Sequence, residues 1–292
     1  MTRRPLWIIA APCLFLILWS AGFAVAKIGL RHAEPFTLLA LRYCLAVAVL
    51  LPLAAVLRPA WPSTAREWAN VALVGFLIQV IYFGLCYMAF KSGMSAGAVA
   101  IIVCLQPLLV GLIAPWFVAE KVGLARWIGL ALGLGGAALV ILARSSVAAE
   151  TSFGIAITFV ALFGITGGTL WEKRFGVTHH PVVSNLIQYG VGALFTLPLA
   201  LTTETMQIAW NGEFIAVMAY LVIGNSLISM TLLLAMIRAG EVSRVSSLFY
   251  LVPPLSALLA WPLLGEVMPL LAWCGMVIAG LGVSLASRPL AR

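Results

Sequence analysis

Residues 19–54 read WSAGFAVAKIGLRHAEPFTLLALRYCLAVAVLLPLA, and residues 165–200 read ITGGTLWEKRFGVTHHPVVSNLIQYGVGALFTLPLA. Laid over each other at an offset of 146, Lys27 falls on Lys173, Pro35 on Pro181, Tyr43 on Tyr189 and Pro52-Leu53-Ala54 on Pro198-Leu199-Ala200. Further on, an offset of 147 aligns Gly93 with Gly240, Pro107 with Pro254 and Pro115 with Pro262, and the offset returns to 146 at Trp127/Trp273, Gly129/Gly275 and Gly136/Gly282. The chain therefore holds two copies of one unit, 1–146 and 147–292. Apolar segments lie near 6–27, 35–57, 69–90, 94–118, 124–143, 152–173, 180–202, 214–237, 244–264 and 268–287, five to a copy. Each is long enough for a bilayer span of about 20 residues. An odd number of spans makes the second copy enter the membrane from the opposite side. The predicted fold is all-α, a polytopic membrane protein of ten transmembrane helices in two inverted five-helix repeats around a central cavity. Such halves rock about a site between them.

Composition agrees. Of 292 residues 63% are hydrophobic and 9% charged, with a mean hydropathy of +1.12, against about 25% charged in soluble domains. Ten spans leave only short loops and no room for a soluble catalytic domain. The net charge of +8 does not point to nucleic acid, because the basic residues are scattered among the loops. With the N-terminus inside, 12 of the 17 Lys and Arg residues fall on the inner side, while Lys27, Arg31, Lys91 and Arg144 fall outside. That bias predicts both termini in the cytoplasm. Arg3-Arg4, the apolar run and Ala24-Val25-Ala26 imitate a secretory signal. The segment running into Lys27 has a repeat partner running into Lys173, so a retained span is expected. Cys13, Cys44, Cys86, Cys104 and Cys274 all lie in apolar stretches with no C-x-x-C pair and read as packing residues.

Polar groups inside the spans define the candidate site. Gln79 and Tyr82 recur at helical spacing, and the repeat offset puts them on Ser226 and Ser229, beside Asn225. Gln106 and Tyr250 add to the set. Single intramembrane polar residues commonly act as interhelical glue, but so many from both halves predict a wet cavity holding a small solute. Trp19, Tyr82, Tyr87 and Tyr250 lie deep enough to stack on an apolar or aromatic substrate, whereas Trp61, Trp68, Trp127 and Trp210 sit near span ends, as an interfacial belt does. Pro107 and Pro254 interrupt equivalent helices and are candidate hinges. The glycines of the fifth and tenth spans read as close-packing positions.

The sequence has no aspartate, and its nine glutamates and three histidines lie at or beyond span ends. A mid-membrane proton or sodium relay needs such a group, so transport down the substrate's own gradient is expected. Arg42 is the internal charge. It either snorkels to an interface or, with Lys27, forms a vestibule that attracts a substrate carboxylate. There is no H-E-x-x-H and no G-x-x-x-x-G-K-[ST], which argues against a metalloenzyme and an ATP-driven pump. No metal and no cofactor are expected, and the working unit is expected to be a monomer in the lipid bilayer.

Trp19-Ser20, Phe23 and Lys27 resemble the W-S-x-x-F-x-x-x-K opening of the EamA domain, and Pro35 with Arg42 resembles its P-x-x-x-x-x-x-R second helix. Ala96-Gly97-Ala98, Pro107 and Glu120 resemble the A-x-x-A…P…E run that follows, and Pro254 with Glu266 repeats it. The chain is thus similar to tandem EamA domains of the drug/metabolite transporter superfamily, and within it to YddG-type exporters of aromatic and other amino acids. The second copy departs from the pattern, with Ile165-Thr166 in place of Trp-Ser and Gln188 in place of arginine. The resemblance implies a ten-helix basket whose third, fourth, eighth and ninth helices line the cavity. It implies export of amino acids by alternating access. Drug or other metabolite transport on the same fold, a membrane-embedded enzyme and a channel remain the alternatives.

Overall fold

The computed structural model of the chain describes residues 6–94, 99, 102–144, 151–176, 179–240, 242–255, 258 and 269–286. These residues form helices and connections. The helices are α1 (Leu6–Gly29), α2 (Pro35–Leu57), α3 (Ala65–Lys91), α4 (Gln106–Phe117) and α5 (Leu124–Arg144) in the first half. The second half has α6 (Ser152–Phe175), α7 (Pro181–Thr203), α8 (Gly212–Ala239), α9 (Val242–Ser247, continued by a 3-10 turn at Leu248–Leu251) and α10 (Leu270–Ala286). Six of them, α1–α3 and α6–α8, are long and apolar enough to cross a membrane. The Ala96-Gly97-Ala98 run, Pro262 and Glu266 lie outside the described residues.

Local chemistry sets the helix ends. Pro35 and Pro181 occupy the first turns of α2 and α7, where a missing N–H costs nothing. α3 begins earlier than its apolar pattern suggests. The Thr64 hydroxyl accepts from the Glu67 N–H at 3.2 Å, and the Glu67 carboxylate accepts from the Ser63 N–H at 2.7 Å, a reciprocal cap that extends the helix over Arg66 and Glu67. α3 closes at Gly93, whose φ of +95° suits glycine. The two proline interruptions are real breaks. Helix at residues 102–103 gives way to a turn at 104–105 before Pro107 enters α4, and the 3-10 turn at Leu248–Leu251 precedes Pro254.

Equivalent helices of the two halves pack on each other, α2 against α7 and α5 against α10, and α1 meets α8 as α6 meets α3. Between α5 and α10 the backbones touch. A Cβ on Gly136 would fall 2.3 Å from the Ala279 nitrogen, and one on Gly282 would fall 2.3 Å from the Gly133 nitrogen. With lipid on the outside there is no hydrophobic drive between helices, so close backbone contact supplies the attraction. Leu45, Val49, Phe159, Phe163, Ile223 and Val277 are among the large apolar side chains facing outward.

Two polar clasps tie the ends. At one end, the Glu204 carboxylate accepts from the Phe36 and Thr37 N–H groups and the Thr37 hydroxyl at 2.7–2.9 Å, capping α2. Beside it Glu34 accepts from Lys91 at 2.8 Å and from Thr205, and His32 pairs with Glu213 at 2.8 Å. At the other end Arg238 donates to Glu172, to the Ser184 hydroxyl and to the His179 carbonyl, Lys173 donates to the Gly240 carbonyl, and Arg174 donates to the Phe117 carbonyl. The start of α3 belongs to this second end, where Asn70 accepts from Trp171 at 3.2 Å and Val71 packs on Val183.

Candidate functional site

The centres of α3 and α8 are not α-helical. Each widens into a π-helix, at Phe76–Gly84 and Tyr220–Ser229, segments that correspond under the repeat. Such turns loosen the backbone ladder and are frequent at functional sites. Two tyrosines bind to them in matching fashion. Tyr43 of α2 donates to the Gln79 carbonyl at 2.8 Å, and Tyr189 of α7 donates to the Ser226 carbonyl at 2.9 Å. Their rings lie 5.6 Å apart.

Arg42 breaks this symmetry. It does not snorkel, being 1% exposed. Its Nε donates to the Ser226 hydroxyl at 2.7 Å, its Nη2 to Asn225 Oδ1 at 2.6 Å and its Nη1 to the Tyr87 hydroxyl at 3.4 Å. The guanidinium also lies over the Phe83 ring at 4.8 Å, a favourable cation–π distance. Trp19 packs on Phe83 at 5.8 Å and edge-on to Phe249 at 5.5 Å. Charge and aromatic groups therefore form one buried cluster from α1, α2, α3, α8 and the turn after α9.

Within and around it are buried polar atoms with no partner among the described residues: Trp19 Nε1, both amide atoms of Gln79, and the Tyr82 and Ser229 hydroxyls. Burying such a group unpaired costs about 1–3 kcal/mol, and several together describe a polar interior. Gln106 reaches Thr169 of α6 and Ser246 of α9 through long 3.4 Å contacts, leaving its Oε1 without a partner. Tyr250 lies against α5, where a Cβ on Gly133 would be 2.4 Å from its ring, among Cys104, Leu130 and Val283. Its ring packs in the layer between α5 and α10, and its buried hydroxyl also has no partner among the described residues. Lys27 is exposed in a surface depression of about 460 Å³, shared with Arg31, His32, Glu34 and Lys91 at the end where α1 meets α2. Arg42 lies deeper than a vestibule would require, and Lys27 alone of the two stands at the mouth.

The structure thus brings Trp19, Gln79, Tyr82, Tyr87, Arg42, Asn225 and Ser229 into the interior, with Gln106 on a neighbouring strip. Helices α1, α2 and α6 contribute as well as α3, α4, α8 and α9. Sequence reading missed Tyr43 and Phe83 as working parts, although Tyr43 was visible as the repeat partner of Tyr189. No group of three or more metal-ligating side chains occurs among the described residues.

The model of the EamA-like transporter family matches residues 5–142 and again 152–288. An uncharacterized transporter of Bacillus subtilis, YvbV, is 24% identical, with 93% of this chain and 88% of the relative aligned. A probable amino-acid metabolite efflux pump of Salmonella typhimurium is 25% identical over 93% of this chain and 92% of its own. The uncharacterized inner membrane transporter YedA of Escherichia coli is 21% identical over 93% and 87%. A solved crystal structure superposes with a TM-score of 0.80 at 20% identity, covering 95% of this chain and 96% of the other, a likeness of fold.

Proposed function

The chain belongs to the EamA-like transporter family, a family of transporters and not of enzymes, and from that premise we propose that it exports amino acids, bulky apolar and aromatic ones included. Two five-helix units, 1–146 and 147–292, stand in opposite orientation and alternate access to the buried polar cluster. The contacts at the helix ends support the inversion. The α1–α2 connection meets the α7–α8 connection, through His32–Glu213, Glu34–Thr205 and Thr37–Glu204. The matching α6–α7 connection lies at the other end, with the start of α3.

The observation that carries the reading is the set of unpartnered, buried polar atoms on Trp19, Gln79, Tyr82 and Ser229, drawn from both halves of the repeat. They are occluded in this conformation, and bends at Pro107 and Pro254 open them to one side and then the other. The working unit proposed is a monomer. The named inner membrane relative supports the inner membrane as its location, and the charge bias supports cytoplasmic termini. The named efflux relative supports amino acids as cargo.

The test is efflux of labelled amino acids from loaded proteoliposomes under a clamped pH difference. Phenylalanine and leucine leave down their own gradients at a rate that the pH difference does not alter, and Gln79→Ala and Tyr82→Ala abolish the flux. Uphill accumulation driven by protons contradicts gradient-driven export. Competition by drugs or other metabolites without competition by amino acids replaces the cargo.

A further inference from the structure

Arg42 is buried with no carboxylate partner among the described residues. The described glutamates nearest in role are engaged at the helix ends: Glu34 with Lys91, Glu204 with α2, Glu172 with Arg238, and Glu213 with His32. In place of a carboxylate the guanidinium holds two separate neutral oxygens, of Ser226 and Asn225, and a 3.4 Å contact to Tyr87. A guanidinium presents five N–H groups in a rigid fork that matches the two oxygens of a carboxylate. Single oxygens on separate residues do not supply the paired acceptors that this fork fits. The Trp19 indole N–H, a donor only, has no acceptor among the described residues, and Trp19 packs on the same Phe83 ring that the guanidinium covers. A buried cation held only by neutral oxygens, beside an indole N–H without an acceptor, is an environment that an anion would complete.

We infer that Arg42 anchors the carboxylate of the transported solute, and that the bound carboxylate takes the guanidinium from Asn225 and Ser226, releasing α2 from the π-helical turn of α8. This rests on the transporter reading above and names the chemical group that the site selects. The release reaches a third helix, because Asn225 is wedged against α1, where a Cβ on Gly22 would fall 2.2 Å from its Nδ2. Gln188 stands at the place in α7 that Arg42 holds in α2, so each chain carries one such anchor and not two.

The experiment measures binding and vesicle flux of phenylalanine, 3-phenylpropanoate (carboxylate without ammonium) and phenethylamine (ammonium without carboxylate). The first two bind and cross, and the third does not. Arg42→Gln weakens 3-phenylpropanoate by about tenfold or more, the loss of a charge-assisted bidentate contact. The repeat itself places glutamine at this position in α7, which favours folding of the variant. Ser226→Ala tightens 3-phenylpropanoate by about threefold, because an internal competitor for the guanidinium is gone. That arm stands even if Arg42→Gln fails to fold. Phenethylamine crossing as well as phenylalanine, an unchanged affinity in Arg42→Gln, or a weakened one in Ser226→Ala overturns the anchor and leaves the transporter reading standing. Absence of flux for all three solutes with the folded wild-type protein overturns both.

Discussion

Gly135 and Gly136 are neighbours in α5, yet alanine at the two positions should act in opposite directions. A Cβ at Gly136 would lie 2.3 Å from the Ala279 nitrogen, 2.6 Å from the Gly275 oxygen and 2.8 Å from the Ala279 Cα, whereas one at Gly135 meets nothing within 4 Å. Carbon contacts are comfortable at about 3.5–4.0 Å, so Gly136→Ala must push α5 and α10 apart by about 1 Å. Overpacking costs about 1–3 kcal/mol, and the upper end applies because the obstructing atoms are backbone. Alanine offsets about 1 kcal/mol of this through its better helix propensity, leaving a net loss of about 2 kcal/mol. At Gly135 only the propensity remains, a gain of up to about 1 kcal/mol. The two variants therefore differ by about 3 kcal/mol, on the order of 6 °C in apparent Tm. The assay is size-exclusion of detergent-solubilised protein after heating at one fixed rate, since such melts depend on scan rate. Equal Tm values for the two variants would refute the claim that backbone contact holds α5 to α10.

Three further outcomes follow from the clasps and the π turns. Tyr43→Phe and Tyr189→Phe each remove one buried hydroxyl-to-carbonyl bond, worth about 1 kcal/mol; both should lower the apparent Tm by similar amounts, and an effect confined to one would show that the two turns are not equivalent. Glu172 is fully buried and Arg238 nearly so, so Glu172→Gln strands a cation at a cost of about 3–5 kcal/mol; adding Arg238→Met should recover much of the lost Tm, and a deeper loss in the double variant would contradict the pairing. Lys91, with the Thr205 backbone and hydroxyl, holds the Glu34 carboxyl below its ordinary 4.5, at about 2. A depressed carboxyl stabilises fully above its ordinary value and loses that contribution as pH falls toward the lowered one. The Tm difference between wild type and Glu34→Gln should be present at pH 7 and close between pH 4.5 and 2; a constant difference across that window would exclude Glu34 as its source.

Helix positions were legible because their ends carry local chemistry. Pro35 and Pro181 start α2 and α7 where the apolar pattern begins. The start of α3 was legible too, in Thr64-Ala65-Arg66-Glu67, but charge at Arg66 and Glu67 masked a capping signal. The π turns were not legible, since no local pattern separates them from an α-helix; they lie where α3 packs on α6 and α7 and where α8 packs on α1. Arg42 announced itself as an internal charge, but its partners stand 183 and 184 residues away on α8, and only the fold brings them to it. Tyr250 had the chemistry of a cavity residue. Its position against α5 is set by the concavity that Gly133 leaves there, a property of the opposing helix.

The central claim is that the buried polar cluster opens alternately to the two sides of the membrane. The direct measurement places a cysteine at Ser229, which is fully buried, in a background lacking the five natural cysteines, and treats right-side-out and inverted vesicles with a membrane-impermeant thiol reagent. A Lys27→Cys control, at an exposed position, reports which face the reagent reaches. Slow labelling of the Ser229→Cys protein from both faces, suppressed by phenylalanine, is the predicted result. Labelling from neither face, with the Lys27 control reactive, would contradict it.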